Sequence, residues 1–169
     1  MTESAEERSK RVFLRYLNDY VWTTQLSIFY RDYGESLDAI DHSAVVRKNL
    51  PRLFPRSPFL FRLCLNPRVT PEEAEEYGIP DNEPNTMPYM TFFTEGIEFN
   101  KNQLADKVSK WIDADVYIYR QSLSEKRIES YSRVVARDNP HNLTQFFDKN
   151  KINRFSLLNR GECISLNNE

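Results

Sequence analysis

The sequence predicts an α/β protein with a central mixed sheet flanked by helices and a helical or irregular carboxy-terminal extension. Three observations carry that prediction. Over the first 112 residues, stretches with helical apolar spacing alternate with short strand-like runs. One run, Phe59-Leu60-Phe61-Arg62-Leu63-Cys64-Leu65, is dominated by apolar residues on both alternating faces, as a central strand is. The chain has 169 residues, 40% of them hydrophobic, which suffices for one full core plus an extension and leaves two domains cramped.

Taken in order, Glu6 to Tyr20 place Val12, Phe13, Tyr16, Leu17 and Tyr20 on one helical stripe, with Ser4 and Glu7 spaced as a capping box. Gln25 to Tyr30 reads as a buried strand and Asp32 to Ser36 as the loop that ends it. A helix is read within Leu37 to Phe54 and is expected to finish before Pro51, because the residue ahead of a proline avoids helical torsions. After the second strand, Thr70-Pro71-Glu72-Glu73 is a strong helix start, with a capping threonine, proline at the first helical position and acids in the first turn. Gly78 closes that helix.

The stretch from Met87 to Phe99 organises the rest. It reads as a strand opened by Pro88, a turn at Glu95-Gly96 and a returning strand Ile97 to Phe99. The closing helix Gln103 to Ile112 has Leu104, Val108, Trp111 and Ile112 on one face. This succession, from strand Leu26 to Tyr30 through to Ile112, resembles the thioredoxin-like superfamily, and the match covers residues 10 to 113. The resemblance implies a thioredoxin-like domain over 1–113, a cis peptide before Pro88, and a groove in which Tyr33, Met87, Pro88 and Tyr89 meet an extended partner chain. The chain departs from that family in the residues that carry redox chemistry. Where a thioredoxin has Trp-Cys-x-x-Cys, this chain has Tyr33-Gly34-Glu35-Ser36-Leu37, and disulfide exchange needs two thiols there.

Beyond Ile112, the extension over 114–169 is expected to pack on the domain or to be ordered by a partner. Asp115 to Tyr119 reads as a strand or as more helix, Ser124 to Ala136 as a helix and Asn142 to Phe147 as a short one. In its last part Phe155, Leu157 and Leu158 are apolar residues among polar ones, and are candidates for contact with a partner.

Other chemistry finds little support. The net charge of −2 lacks the overall basic excess of a dedicated nucleic-acid binder. A local basic run remains, in which Arg47, Lys48, Arg52 and Arg56 are candidate nucleic-acid contacts, and Arg62 inside a strand should reach a carboxylate or the sheet edge. The two cysteines, Cys64 and Cys163, are too few for a disulfide framework or a thiolate zinc site. No metal or cofactor is expected. The acidic start Met1-Thr2-Glu3 is unlike a secretory signal, no run is apolar enough for a membrane span, and a cytoplasmic or nuclear location is expected.

Three function classes follow. The first is a redox-inactive, thioredoxin-like adaptor for a protein partner, with homodimerisation left open. The second is a nucleic-acid-associated protein using the basic run and the basic extension. The third is a thiol-handling enzyme, for which a depressed pKa at Cys64 or Cys163 would be the mark.

Overall fold

The computed structural model describes residues 3–30, 36–64, 72, 75, 89–112, 116–137, 147–149 and 151–160. Its elements are α1 (Ala5–Asp19), β1 (Thr24–Tyr30), α2 (Ser36–Leu53), β2 (Phe59–Cys64), β3 (Tyr89–Thr94), α3 (Lys101–Trp111), β4 (Val116–Ser122), α4 (Glu125–Arg137) and β5 (Phe155–Leu158). The strands form one five-stranded sheet in the order β4-β1-β3-β2-β5.

Every pairing among these strands is antiparallel, which corrects the expectation of a mixed sheet. β1 and β2 do run parallel, as a helical crossover between them requires, but β3 lies between them and pairs with both. In the same way β3 and β4 are joined through α3 with β1 between them. Two interlocked split βαβ units of this kind make the ferredoxin-like arrangement, to which α1, α4 and β5 are added here. The extension, expected to be helical or irregular, supplies two strands, β4 and β5, which are the outer ones among the described residues, so the sheet draws strands from both sides of residue 113.

Alternation along the strands gives the sheet two buried faces. On one face Leu26, Ile28, Phe59, Phe61, Leu63, Met90 and Phe92 pack against Val46 and Leu50 of α2 and Leu104 and Val108 of α3. On the other, Leu60, Phe93 and Phe155 pack against Phe13, Tyr16 and Leu17 of α1 and Tyr131 and Val135 of α4. The sheet is therefore the middle of three layers.

Local chemistry explains most element ends. Ser4 Oγ accepts from the Glu7 amide at 3.1 Å while Glu7 Oε2 accepts from the Ser4 amide at 3.2 Å, the reciprocal capping box. Asn100 caps α3 by accepting from the Gln103 amide at 3.1 Å. Gly96 takes φ +73° in the turn after β3, a left-handed torsion that glycine adopts without steric cost.

Two expectations fail for identifiable reasons. α2 continues through Pro51 instead of ending before it. Proline removes one helical hydrogen bond, but here it falls in the last turn, where Leu50 and Pro51 are buried and the Phe54 amide closes a tight turn onto the Pro51 carbonyl at 3.2 Å. Ile97 to Phe99 forms no strand. Ile97 and Phe99 instead fold their side chains into the first core and lead directly to the Asn100 cap. The helix start at Thr70 and the Pro88 peptide fall outside the described residues.

Candidate functional site

β5 is the terminal strand on its side of the sheet among the described residues, and its backbone faces can be assigned. Arg62 stands opposite Phe155 and Phe59 opposite Leu158. The Leu63 amide donates to the Arg154 carbonyl at 2.8 Å, so in the antiparallel alternation Ser156 and Leu158 also turn their backbone groups toward β2. Phe155 and Leu157 turn theirs outward. The Phe155 amide is satisfied by Asn153 Oδ1 at 3.2 Å, which leaves Leu157 at the centre of the outward edge.

Beside this edge, between α1 and the β5 side of the sheet, lies a groove of about 170 Å³. Val12, Phe13, Tyr16, Leu60, Phe155 and Leu157 give it an apolar floor, with Arg8, Ser9 and Ser156 as its polar members. Arg15 and Arg160 approach the Tyr16 ring at 5.2 and 5.8 Å. Arg8, Arg15 and Arg160 are exposed, so the groove has an apolar floor under a positive rim. Arg11, on the same helix, is engaged with Glu3 at 2.9 and 3.0 Å.

A buried ion pair holds the two walls of this region together. Arg154, immediately before β5, donates from Nε to Glu6 Oε1 of α1 at 2.9 Å and from Nη2 to the same oxygen, with both side chains 1% exposed. Its guanidinium lies 4.2 Å from the Phe147 ring centroid and 5.2 Å from that of Phe155. The Glu6 amide donates to Asp148 Oδ1 at 2.8 Å. Glu6 thus anchors the first turn of α1 to two separate parts of the carboxy-terminal segment.

A second polar cluster sits under α4. Arg62, 1% exposed, donates from Nη1 to Tyr131 Oη at 3.0 Å and to Tyr89 Oη at 3.3 Å. The expected escape to the sheet edge does not occur; strand order places β2 inside the sheet, and two phenol oxygens accept from the cation. Burial, chiefly, and then neighbouring Cys64 and Tyr131 push the Tyr89 phenol well above its ordinary range, against a smaller downward pull from Arg62. An unfolded tyrosine ionises near pH ~10. Tyr89 in the fold holds its proton longer, so its contribution is complete below that pH and is lost as pH rises beyond it. Tyr89→Phe has no phenol to titrate and should flatten part of the alkaline fall in Tm. Melting curves for both proteins from about pH 8 to about pH 11 check this; parallel curves would exclude it.

The sequence candidates distribute as follows. Tyr33, Met87 and Pro88 lie outside the described residues. Tyr89 is half-buried at the start of β3, opposite Phe29, so the chain leaves β1 and enters β3 at the same end of the sheet. Phe155 is buried in the second core, and Leu157 and Leu158 are half-buried on β5. Arg47 is half-buried too: its Nη1 donates to Ser156 Oγ at 3.3 Å and to the Asn153 carbonyl at 3.4 Å, and its guanidinium lies 5.5 Å from the Phe61 ring centroid. Desolvation lowers the Arg47 pKa from its ordinary value. Lys48, Arg52 and Arg56 are exposed. Cys64 is a free, half-buried thiol, and Cys163 lies outside the described residues. Among the described residues no three His, Cys, Asp or Glu side chains come together.

Sequence reasoning did not single out Arg8, Val12 and Tyr16 as site residues, because on α1 they read as part of a helix. Only their position beside an edge strand distinguishes them. No family model, curated protein or solved structure matches this chain.

Proposed function

We propose that the chain is a redox-inactive protein-binding module, an adaptor that takes up an extended segment of a partner along the outer edge of β5. The observation that carries this reading is the coincidence of an outward-facing strand edge at Leu157 with an apolar groove alongside it. An added strand gains affinity from main-chain hydrogen bonds and specificity from alternate side chains entering such a groove. The thioredoxin-like part of the sequence reading rests on the sequence resemblance alone, and the docking proposal does not depend on it.

The nucleic-acid alternative has support in Lys48, Arg52 and Arg56, which are exposed, but Arg47 and Arg62 are occupied within the fold. The test is site-specific photo-crosslinking in the source cells. A photoreactive residue in place of Leu157 should capture a discrete protein, whereas the same residue in place of the exposed Val134 on α4 should not. Equal capture at both positions, or adducts removed by nuclease, would overturn the edge-docking reading.

A further inference from the structure

We infer that the segment taken up at β5 is acidic, with the pattern acid, any residue, apolar, any residue, acid. The inference rests on the edge-docking reading and adds the chemistry of the occupant.

A residue paired with Leu157 across a new antiparallel ladder lies on the same face of the sheet as Leu157. That is the α1 face, where Val12, Tyr16, Phe155 and Leu157 form the groove floor, so this central residue is apolar. Its neighbours on either side turn to the opposite face, toward Ser156 and the buried-side guanidinium of Arg47. The residues two positions away return to the α1 face and meet the rim. There Arg8 lines one part of the groove, and Arg15 and Arg160 flank Tyr16 at another. No acidic side chain is among the described groove residues.

The spacing agrees. Arg8 and Arg15 are seven residues apart on α1, a rise of about 10 Å. Two side chains four residues apart on a strand are separated by about 13 Å, a difference that flexible arginine side chains span. Exposed charges meeting across a rim act mainly on encounter rate and selectivity, and their effect falls with salt.

The experiment is selection of twelve-residue peptides from a random phage-displayed library on the full chain, followed by anisotropy titration of the enriched peptides. Enriched sequences should carry the alternating acid and apolar pattern. Leu157→Pro should weaken their binding at least tenfold while circular dichroism is unchanged, because proline is tolerated on an edge strand where its nitrogen faces outward. Arg8→Glu combined with Arg15→Glu should also weaken binding at least tenfold at low salt, with the difference shrinking at high salt.

The possible failures separate. Enriched peptides that lack acids and are indifferent to the arginine reversals, yet are lost with Leu157→Pro, would overturn the acidic assignment and leave edge docking standing. Peptides that bind Leu157→Pro as well as the parent chain, or no enrichment at all, would overturn both.

Discussion

Glu6→Ala should lower the stability of the chain by about 3 to 5 kcal/mol, the range found when one partner of a buried ion pair is removed. The Glu6 and Arg154 side chains are each 1% exposed, so the variant leaves a buried guanidinium without its carboxylate. The Phe147 and Phe155 rings remain beside the guanidinium, and those contacts offset only a part of its desolvation. Against a total stability of about 5 to 15 kcal/mol for an ordinary domain, this one change is large. Urea titration of the variant is the measurement, and a loss under about 1 kcal/mol would mean that the pair is solvated.

The same pair yields a sharper comparison. Replacing both partners, Glu6→Leu with Arg154→Met, removes the charge and keeps most of the volume. Such replacements are often neutral or stabilising, so the double variant should recover most of what Glu6→Ala loses. If it does, the ion pair contributes to fixing α1 against β5 more than to net stability. Since those elements are the two walls of the groove, the double variant is also the one in which altered peptide binding would be informative.

The parts of this architecture that are local in origin are legible in the sequence. α1 follows from the Ser4 and Glu7 capping pair and from the stripe of Phe13, Tyr16 and Leu17, all of which is settled within one helix. α3 and α4 follow from similar stripes. The sheet order does not, because whether β1 and β2 become neighbours depends on β3 inserting between them, and no residue within β1 or β2 encodes that. β5 is harder still. Its four residues lie in a polar stretch and become a strand only because β2 offers an edge to pair with.

The candidate site shows the same division. Leu157 and Leu158 attract notice as apolar residues in a polar tail, and the structure puts both on an edge strand. Phe155 attracts notice for the same reason but belongs to the core, packed at 5.1 Å from the Phe13 ring. Glu6 is an acid in the first turn of α1, where it complements the helix dipole, and nothing local marks it as buried. Its burial arises from Arg154, a residue 148 positions away, and sequence periodicity is blind to such a distance.

Phe92→Ala should cost about 3 to 5 kcal/mol, the typical loss for truncating a fully buried phenylalanine. Phe92 is 0% exposed in the central strand β3, paired in register with Leu26 on one side and Phe61 on the other. Its ring meets Phe61 at 5.1 Å and Phe59 edge-on at 6.2 Å, so truncation removes aromatic contacts as well as buried area. Neighbours locked into two ladders cannot collapse into the space, which places the loss toward the upper part of the range. Trp111 provides the contrast. It shares the α3 stripe with Leu104 and Val108, and sequence reasoning gives it the same status, but in the fold it is only half-buried while those two are buried. Trp111→Ala should therefore cost clearly less than Phe92→Ala when both are measured by urea titration. Equal losses would show that Trp111 is as deeply packed as the sheet interior and would require α3 to sit closer to β1 and β3 than it does here.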